Sequence, residues 1–191
     1  MGARWTQAAM RAVAVEERAG IGLGPLQALD PYRLAEEHGI PVYPLDELGD
    51  GPKAYAAIHH FTSARSKVWS AALVPVGSSR LIIENTAHSA TRRRASLAHE
   101  LGHHLLEHEF AGMLLTDDGC RRFDPARENE AKFISGQVLI PDAAAKRAAF
   151  DGKENHQVAA AYGVSEQFAQ MRMSGARVLA QRALAKQARS R

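Results

Sequence analysis

Cysteine and long apolar runs are scarce in this 191-residue chain. The single cysteine, Cys120, excludes an intramolecular disulfide framework and a cysteine-rich zinc finger, and we expect it to be a free surface thiol. No stretch approaches the roughly 18 uninterrupted apolar residues of a membrane span. Closely spaced charges between residues 4 and 18 leave no apolar core for a signal peptide. These absences indicate a cytoplasmic protein without membrane contact.

The last acidic residue of the sequence is Glu166, and the C-terminal stretch that follows it has none. The cations that follow it are Arg172, Arg177, Arg182, Lys186, Arg189 and Arg191. The net charge of +3 therefore belongs to the tail. A basic helical tail is most often a solvated face, and contact with nucleic acid or an acidic partner is the alternative.

The residue pattern predicts a helix-rich chain with a short β-region. Helices are expected over residues 3–19, 31–38, 91–106, 125–139, 142–150, 154–162 and 165–173, with Gly175 before a basic terminal helix. Strands are expected over residues 40–45, 54–61, 67–76 and 80–84, with a hairpin around Gly77. Prolines 41 and 44 make the first of these an edge strand. The fold class is α+β, with a small mixed or antiparallel sheet and a helical C-terminal part.

Residues 99–103 spell His-Glu-Leu-Gly-His, the H-E-x-x-H pattern. On a helix, His99 and His103 differ by about 40° around the axis and about 6 Å along it, so both imidazoles can bind one cation. Glu100 is too far round to ligate and is placed to act as a general base. Gly102 predicts the close approach of another backbone, such as a strand. The alternative is a pair of ordinary helix histidines.

A catalytic zinc site needs a third protein ligand and keeps one position open. A metzincin continuation requires glycine and histidine where this chain has Leu106 and Glu109, so that class is excluded. A glutamate from a later helix is the other common solution, and Glu128 and Glu130 both open the next predicted helix.

The stretches RRRASLAHELGHHLLEH (92–108) and ENEAKFISGQVLIP (128–141) resemble the ImmA/IrrE family of metallo-endopeptidases. The resemblance covers roughly residues 30–175. It implies a zincin-type active-site helix, zinc bound by His99, His103 and Glu130, and Glu100 as the catalytic residue. Glu128 is the next ligand candidate if Glu130 is only a surface carboxylate. The chain departs from the family at residues 95 and 133, which affects local packing and not the ligand set.

The same resemblance implies a division of the chain and a substrate. Residues 1–29 would be an N-terminal helical extension, 30–150 the zinc metallopeptidase core, and 151–191 a helical segment with a basic tail. Family members typically cleave a helix-turn-helix repressor, often encoded nearby. The implied function is site-specific, zinc-dependent cleavage of such a transcriptional repressor, as part of transcription regulation and a stress response.

Residues 157–165 are similar to the first helix and turn of a helix-turn-helix, in which Gly163 suits the turn and Ser165 caps the next helix. A DNA- or partner-binding regulatory module with a non-catalytic metal site is therefore the alternative function. The second helix of this unit, residues 166–173, has one cation, Arg172, which favours simple packing over DNA contact. Among the other histidines, His104 and His108 are expected to be solvated or structural, and His59, His60 and His156 are expected to be structural. One of His59, His60 and His156 could instead stabilise an oxyanion.

Overall fold

The computed structural model describes residues 4–49, 51–64, 66–67, 69–108 and 124–190, and Cys120 lies outside them. Within these residues the chain forms three strands and eight α-helices, which confirms the α+β prediction. The helices are α1 (Gln7–Gly20), α2 (Pro31–Glu37), α3 (Pro52–His59), α4 (Ala90–Leu105), α5 (Pro125–Leu139), α6 (Asp142–Phe150), α7 (Asn155–Tyr162) and α8 (Glu166–Arg189). The strands are β1 (Val42–Pro44), β2 (Ala71–Val76) and β3 (Ser79–Glu84). Among the described helices, none has the length and apolar character to cross a membrane.

The sheet is mixed, with the strand order β1-β3-β2. Strand β1 runs parallel to β3, with Tyr43 opposite Ile83, and β2 pairs antiparallel with β3 in a hairpin. Gly77 supplies a positive φ of 59° at the hairpin turn. The edge position predicted for residues 40–45 and the hairpin around Gly77 are both confirmed.

Residues 54–61 were expected to form a strand, and this expectation is wrong. Pro52 begins helix α3 there, and a short π-helical turn, His60–Ala64, follows it. Alanines at positions 54, 56 and 57 are strong helix formers, and Pro52 suits the first helical position. None of the residues of α3 is buried, so tertiary packing does not override this local preference.

Gly175 does not interrupt the C-terminal helix, contrary to the expectation. Helix α8 continues through it for 24 residues. Met173 and Ala176 are buried on either side of it. A glycine costs a helix about 1 kcal/mol relative to alanine, which the packing of these neighbours offsets.

Two hydrophobic clusters meet at helix α4. Leu97 and Leu101 belong to the first, together with residues of α1, α2, β2, β3 and α5. Ala98 belongs to the second, which joins α4 to α5, α6, α7 and α8. Helix α4 is therefore held from two sides, and the side chains that it presents between these contacts have little freedom to move. The division at residues 29 and 150 stays a prediction.

Candidate metal centre

Helix α4 crosses helix α5 closely enough to place the first turn of α5 beside its histidines. A Cβ atom added to Gly102 would lie 2.9 Å from both the Ala131 carbonyl oxygen and Ile134 Cγ2. Gly102 is thus needed for the close approach of a backbone, as expected. The approaching element is helix α5 and not a strand, because the sheet packs against a different face of α4, where Leu73 of β2 contacts Glu100.

His99, His103 and Glu128 form the one group of three or more candidate metal ligands found among the described residues. The two histidine Nε2 atoms lie 3.2 Å apart. The Glu128 carboxylate is 3.2 Å from each, with Oε2 facing His99 and Oε1 facing His103. Tetrahedral zinc with bonds of about 2.0–2.1 Å would separate its ligand atoms by about 3.3 Å. Two imidazole nitrogens and one carboxylate oxygen, all within 4.8 Å of one another, suit zinc in ligand type.

The group is closed on one side and open on the other. The His103 side chain is 1% exposed, whereas those of His99 and Glu128 are 22% and 27% exposed. Hydrogen bonds from His103 and His99 hold the pKa of Glu128 well below its usual range. Glu128 is therefore a carboxylate at neutral pH, which is the form that binds a metal ion.

Glu130 lies elsewhere. One of its carboxylate oxygens accepts a hydrogen bond from the Trp5 backbone N–H at 3.0 Å, and the other is 3.1 Å from His108 Nε2. Residues 128 and 130 are about 200° apart around a helix, so they cannot both face α4 from the same crossing. The structure brings Glu128, and not the Glu130 expected from the family resemblance, to the two histidines.

Glu100 lies between the helix and the sheet. Glu100 is buried, and its Oε2 accepts a hydrogen bond from the Leu73 backbone N–H of strand β2 at 2.9 Å. The sequence pattern made Glu100 a candidate general base, but it did not predict the hydrogen bond from Leu73. The contact orients a carboxylate that is adjacent in sequence to the His99 ligand position.

Residues 35–174 match the model of a known family, the peptidase family M78 IrrE N-terminal-like domain. The chain belongs to this family. Its membership confirms the resemblance stated above and gives the protein a metallopeptidase-type function. No curated protein and no solved structure matches the chain.

Membership of a metallopeptidase family implies a metal ion, and among the described residues the group of His99, His103 and Glu128 could hold one. The five other histidines considered in the sequence analysis fall into two sets. His59, His60 and His156, which were expected to be structural, lie at exposed positions. His104 and His108 are more enclosed and pair with other histidines, namely His38 and His103 respectively. Sequence reasoning missed these pairs, because each depends on where a helix end or a distant helix lies.

Proposed function

We propose that this M78-family protein is a zinc-dependent endopeptidase of the gluzincin type. His99, His103 and Glu128 would hold the zinc ion, and Glu100 would act as general base and acid. The single observation that carries the proposal is the grouping of the two histidine Nε2 atoms, 3.2 Å apart, with the Glu128 carboxylate, whose two oxygens lie 3.2 Å from one ring each. Glu128 takes the ligand role that the family resemblance implies for Glu130, because its carboxylate faces both rings.

Bound zinc supplies a Lewis acid that polarises the scissile carbonyl and makes water a nucleophile near neutral pH. Glu100 takes a proton from the attacking water and later delivers it to the leaving amine. Its hydrogen bond from Leu73 keeps the carboxylate oriented while the proton moves. Loss of this carboxylate should stop proton transfer and leave the three ligand positions intact.

The arrangement supports a catalytic site over a structural one. Structural zinc sites have four protein ligands, whereas catalytic sites have three and an open position. Among the described residues, the group comprises three residues. His99 and Glu128 are each about a quarter exposed, so a substrate can approach from that side.

The helix-turn-helix-like pair α7–α8 is better explained as packing than as a DNA-binding unit. Gly163 at its turn accepts a hydrogen bond from Arg94 Nε of α4 at 3.1 Å. Arg172, the one cation of residues 166–173, donates to the Ile140 carbonyl oxygen and to Asp142, and its side chain is 12% exposed. The cation that would contact a phosphate is therefore already engaged inside the protein.

The proposed substrate is a helix-turn-helix transcriptional repressor encoded near this chain, cleaved in the cytoplasm during a stress response. This part rests on the family relationship, since members of the family typically act on such repressors. A protein substrate follows from peptidase membership itself.

The test is a cleavage assay with the neighbouring repressor, with and without a chelator. We expect cleavage by the zinc-loaded protein, loss of cleavage with chelator, and recovery on adding zinc. Glu100→Gln should retain zinc and lose cleavage, whereas Glu37→Gln, at an exposed position on α2, should change neither. Full activity of Glu100→Gln would reject the general base, and undiminished zinc in His99→Ala would reject the ligand set.

A further inference from the structure

Helix α4 ends in a Schellman motif that folds His108 back against His103. The N–H of Glu107 donates to the His104 carbonyl at 2.9 Å, and the N–H of His108 donates to the His103 carbonyl at 3.0 Å. Glu107 has a φ of 51°, in the left-handed position that glycine usually occupies in this motif. The motif brings the residue after that position onto the third residue from the helix end. Here the contact joins two imidazole rings instead of two apolar side chains.

His108 connects His103 to the carboxylate of Glu130. The Nδ1 atoms of the two histidines are 2.9 Å apart, and His108 Nε2 is 3.1 Å from Glu130 Oε2. Both partners are enclosed, since the side chains of His108 and Glu130 are 5% and 12% exposed. The other Glu130 oxygen accepts from the Trp5 backbone N–H at 3.0 Å, so the carboxylate is held at both ends.

Proton counting assigns every nitrogen in this chain of contacts. A ligating His103 Nε2 must present its lone pair, so its proton is on Nδ1. His103 Nδ1–H then donates to His108 Nδ1, which is the acceptor. The proton of His108 is therefore on Nε2, where it donates to the Glu130 carboxylate. With neutral rings and an ionised Glu130, this assignment satisfies the His103–His108 hydrogen bond, the His108–Glu130 hydrogen bond and the bond from His103 Nε2 to zinc.

We infer that His108 and Glu130 are positioning residues that fix the tautomer and orientation of His103 for the zinc ion. This inference rests on the zinc site proposed above. Glu130, which the family resemblance marked as a ligand, would then act on the ligand His103 through His108. Partners of this kind raise the basicity of a ligating histidine, and their loss lowers metal affinity by about 10- to 100-fold.

The experiment measures the zinc dissociation constant by competition with a chromophoric chelator. The full-length wild type is compared with His108→Phe and Glu130→Gln. Matched controls are His156→Phe and Glu37→Gln, which make the same changes at exposed positions. We expect both test variants to bind zinc about 10- to 100-fold more weakly than wild type and both controls to match it.

A spectroscopic signature separates positioning from general structural support. The zinc-loaded wild type should show protected imidazole protons on His103 Nδ1 and His108 Nε2 in nitrogen-15 spectra. The His108 proton should shift and exchange faster in Glu130→Gln. Gln has nearly the shape of Glu, so this variant answers the question even if His108→Phe does not fold.

The outcomes distinguish the two proposals. If wild type binds zinc tightly and both test variants match it, the positioning role is wrong while the zinc site stands. If His99→Ala binds zinc as well as wild type, the zinc site and the inference built on it are both wrong. Weaker binding in both test variants, with altered His108 protons in Glu130→Gln, supports the inference.

Discussion

Two adjacent histidines of helix α4, His103 and His104, each begin a chain of contacts made of the same chemical groups. His103 contacts His108, which contacts Glu130. His104 Nε2 is 3.3 Å from His38 Nδ1, and His38 Nε2 is 2.6 Å from a Glu17 oxygen. Each chain therefore runs from one histidine through a second to a carboxylate.

The difference lies in what faces the other nitrogen of the first ring. His103 Nε2 faces His99 and Glu128, which together can hold a cation. His104 Nδ1 instead accepts a hydrogen bond from Arg80 Nη1 at 2.9 Å, so a cationic side chain already occupies that position. Adjacent residues of a helix point about 100° apart, which is enough to direct one ring to the candidate metal site and the other to a guanidinium. The same chemical groups thus lie beside a candidate metal site in one place and beside a guanidinium in the other.

The largest effect should separate the two histidines directly. His103→Asn should weaken zinc binding by more than about 100-fold, since losing a ligand costs more than losing a partner behind it. His104→Asn should bind zinc within about twofold of wild type, because its ring faces Arg80. Metal analysis and chelator competition measure both. Equal losses in the two variants would contradict the contrast between the rings.

The two glutamates of α5 provide the next comparison. Glu128→Gln should lower zinc affinity by more than about 100-fold, and Glu130→Gln by about 10- to 100-fold, because only Glu128 faces both rings. The dissociation constants of the two variants, measured side by side, check this order. The reverse order would return the ligand role to Glu130.

The close crossing of α4 and α5 beside His103 can be tested by comparing two glycines that both lie inside α-helices, Gly102 and Gly175. Gly102→Ala should destabilise the protein by about 1–3 kcal/mol, because its Cβ would lie 2.9 Å from a backbone oxygen of α5. Gly175→Ala should stabilise it by about 0.5–1 kcal/mol, since nothing lies within 4 Å of the added carbon. Denaturant unfolding of the metal-free proteins measures both. A stabilised Gly102→Ala variant would argue against the tight contact.

The smallest effect concerns the His104 chain and pH. Burial first, and then the positive charge of Arg80 and the proximity of His38, lower the pKa of His104 to about 4 from 6.5. Between these values the unfolded chain binds more protons, so the free energy of unfolding should fall as pH drops from 6.5 toward 4. His104→Asn should flatten this slope. Urea midpoints across this pH range measure the slope, and an unchanged slope would count against a neutral, half-buried His104.

Much of the fold could be predicted because its signals are local. Pro125 begins helix α5, and Pro141 directly follows Ile140, the C-cap of that helix. Asp30 caps α2 because its side chain accepts a hydrogen bond from the Tyr32 backbone N–H. Such signals depend on neighbours in sequence, which stay neighbours in any fold. The strand expected at residues 54–61 was wrong because a short apolar stretch fits a strand or a helix equally well.

The order of residues in H-E-x-x-H by itself determined that His99 and His103 share a helix face, since four residues nearly complete one turn. The sequence also has two candidates for a third ligand, Glu128 and Glu130, at the start of the next predicted helix. Only the tertiary structure decided which glutamate faces the rings, because that depends on how α5 is rotated where Gly102 lets it approach α4. The partner behind His103 was likewise decided by the reversal at Glu107, which no spacing rule predicts.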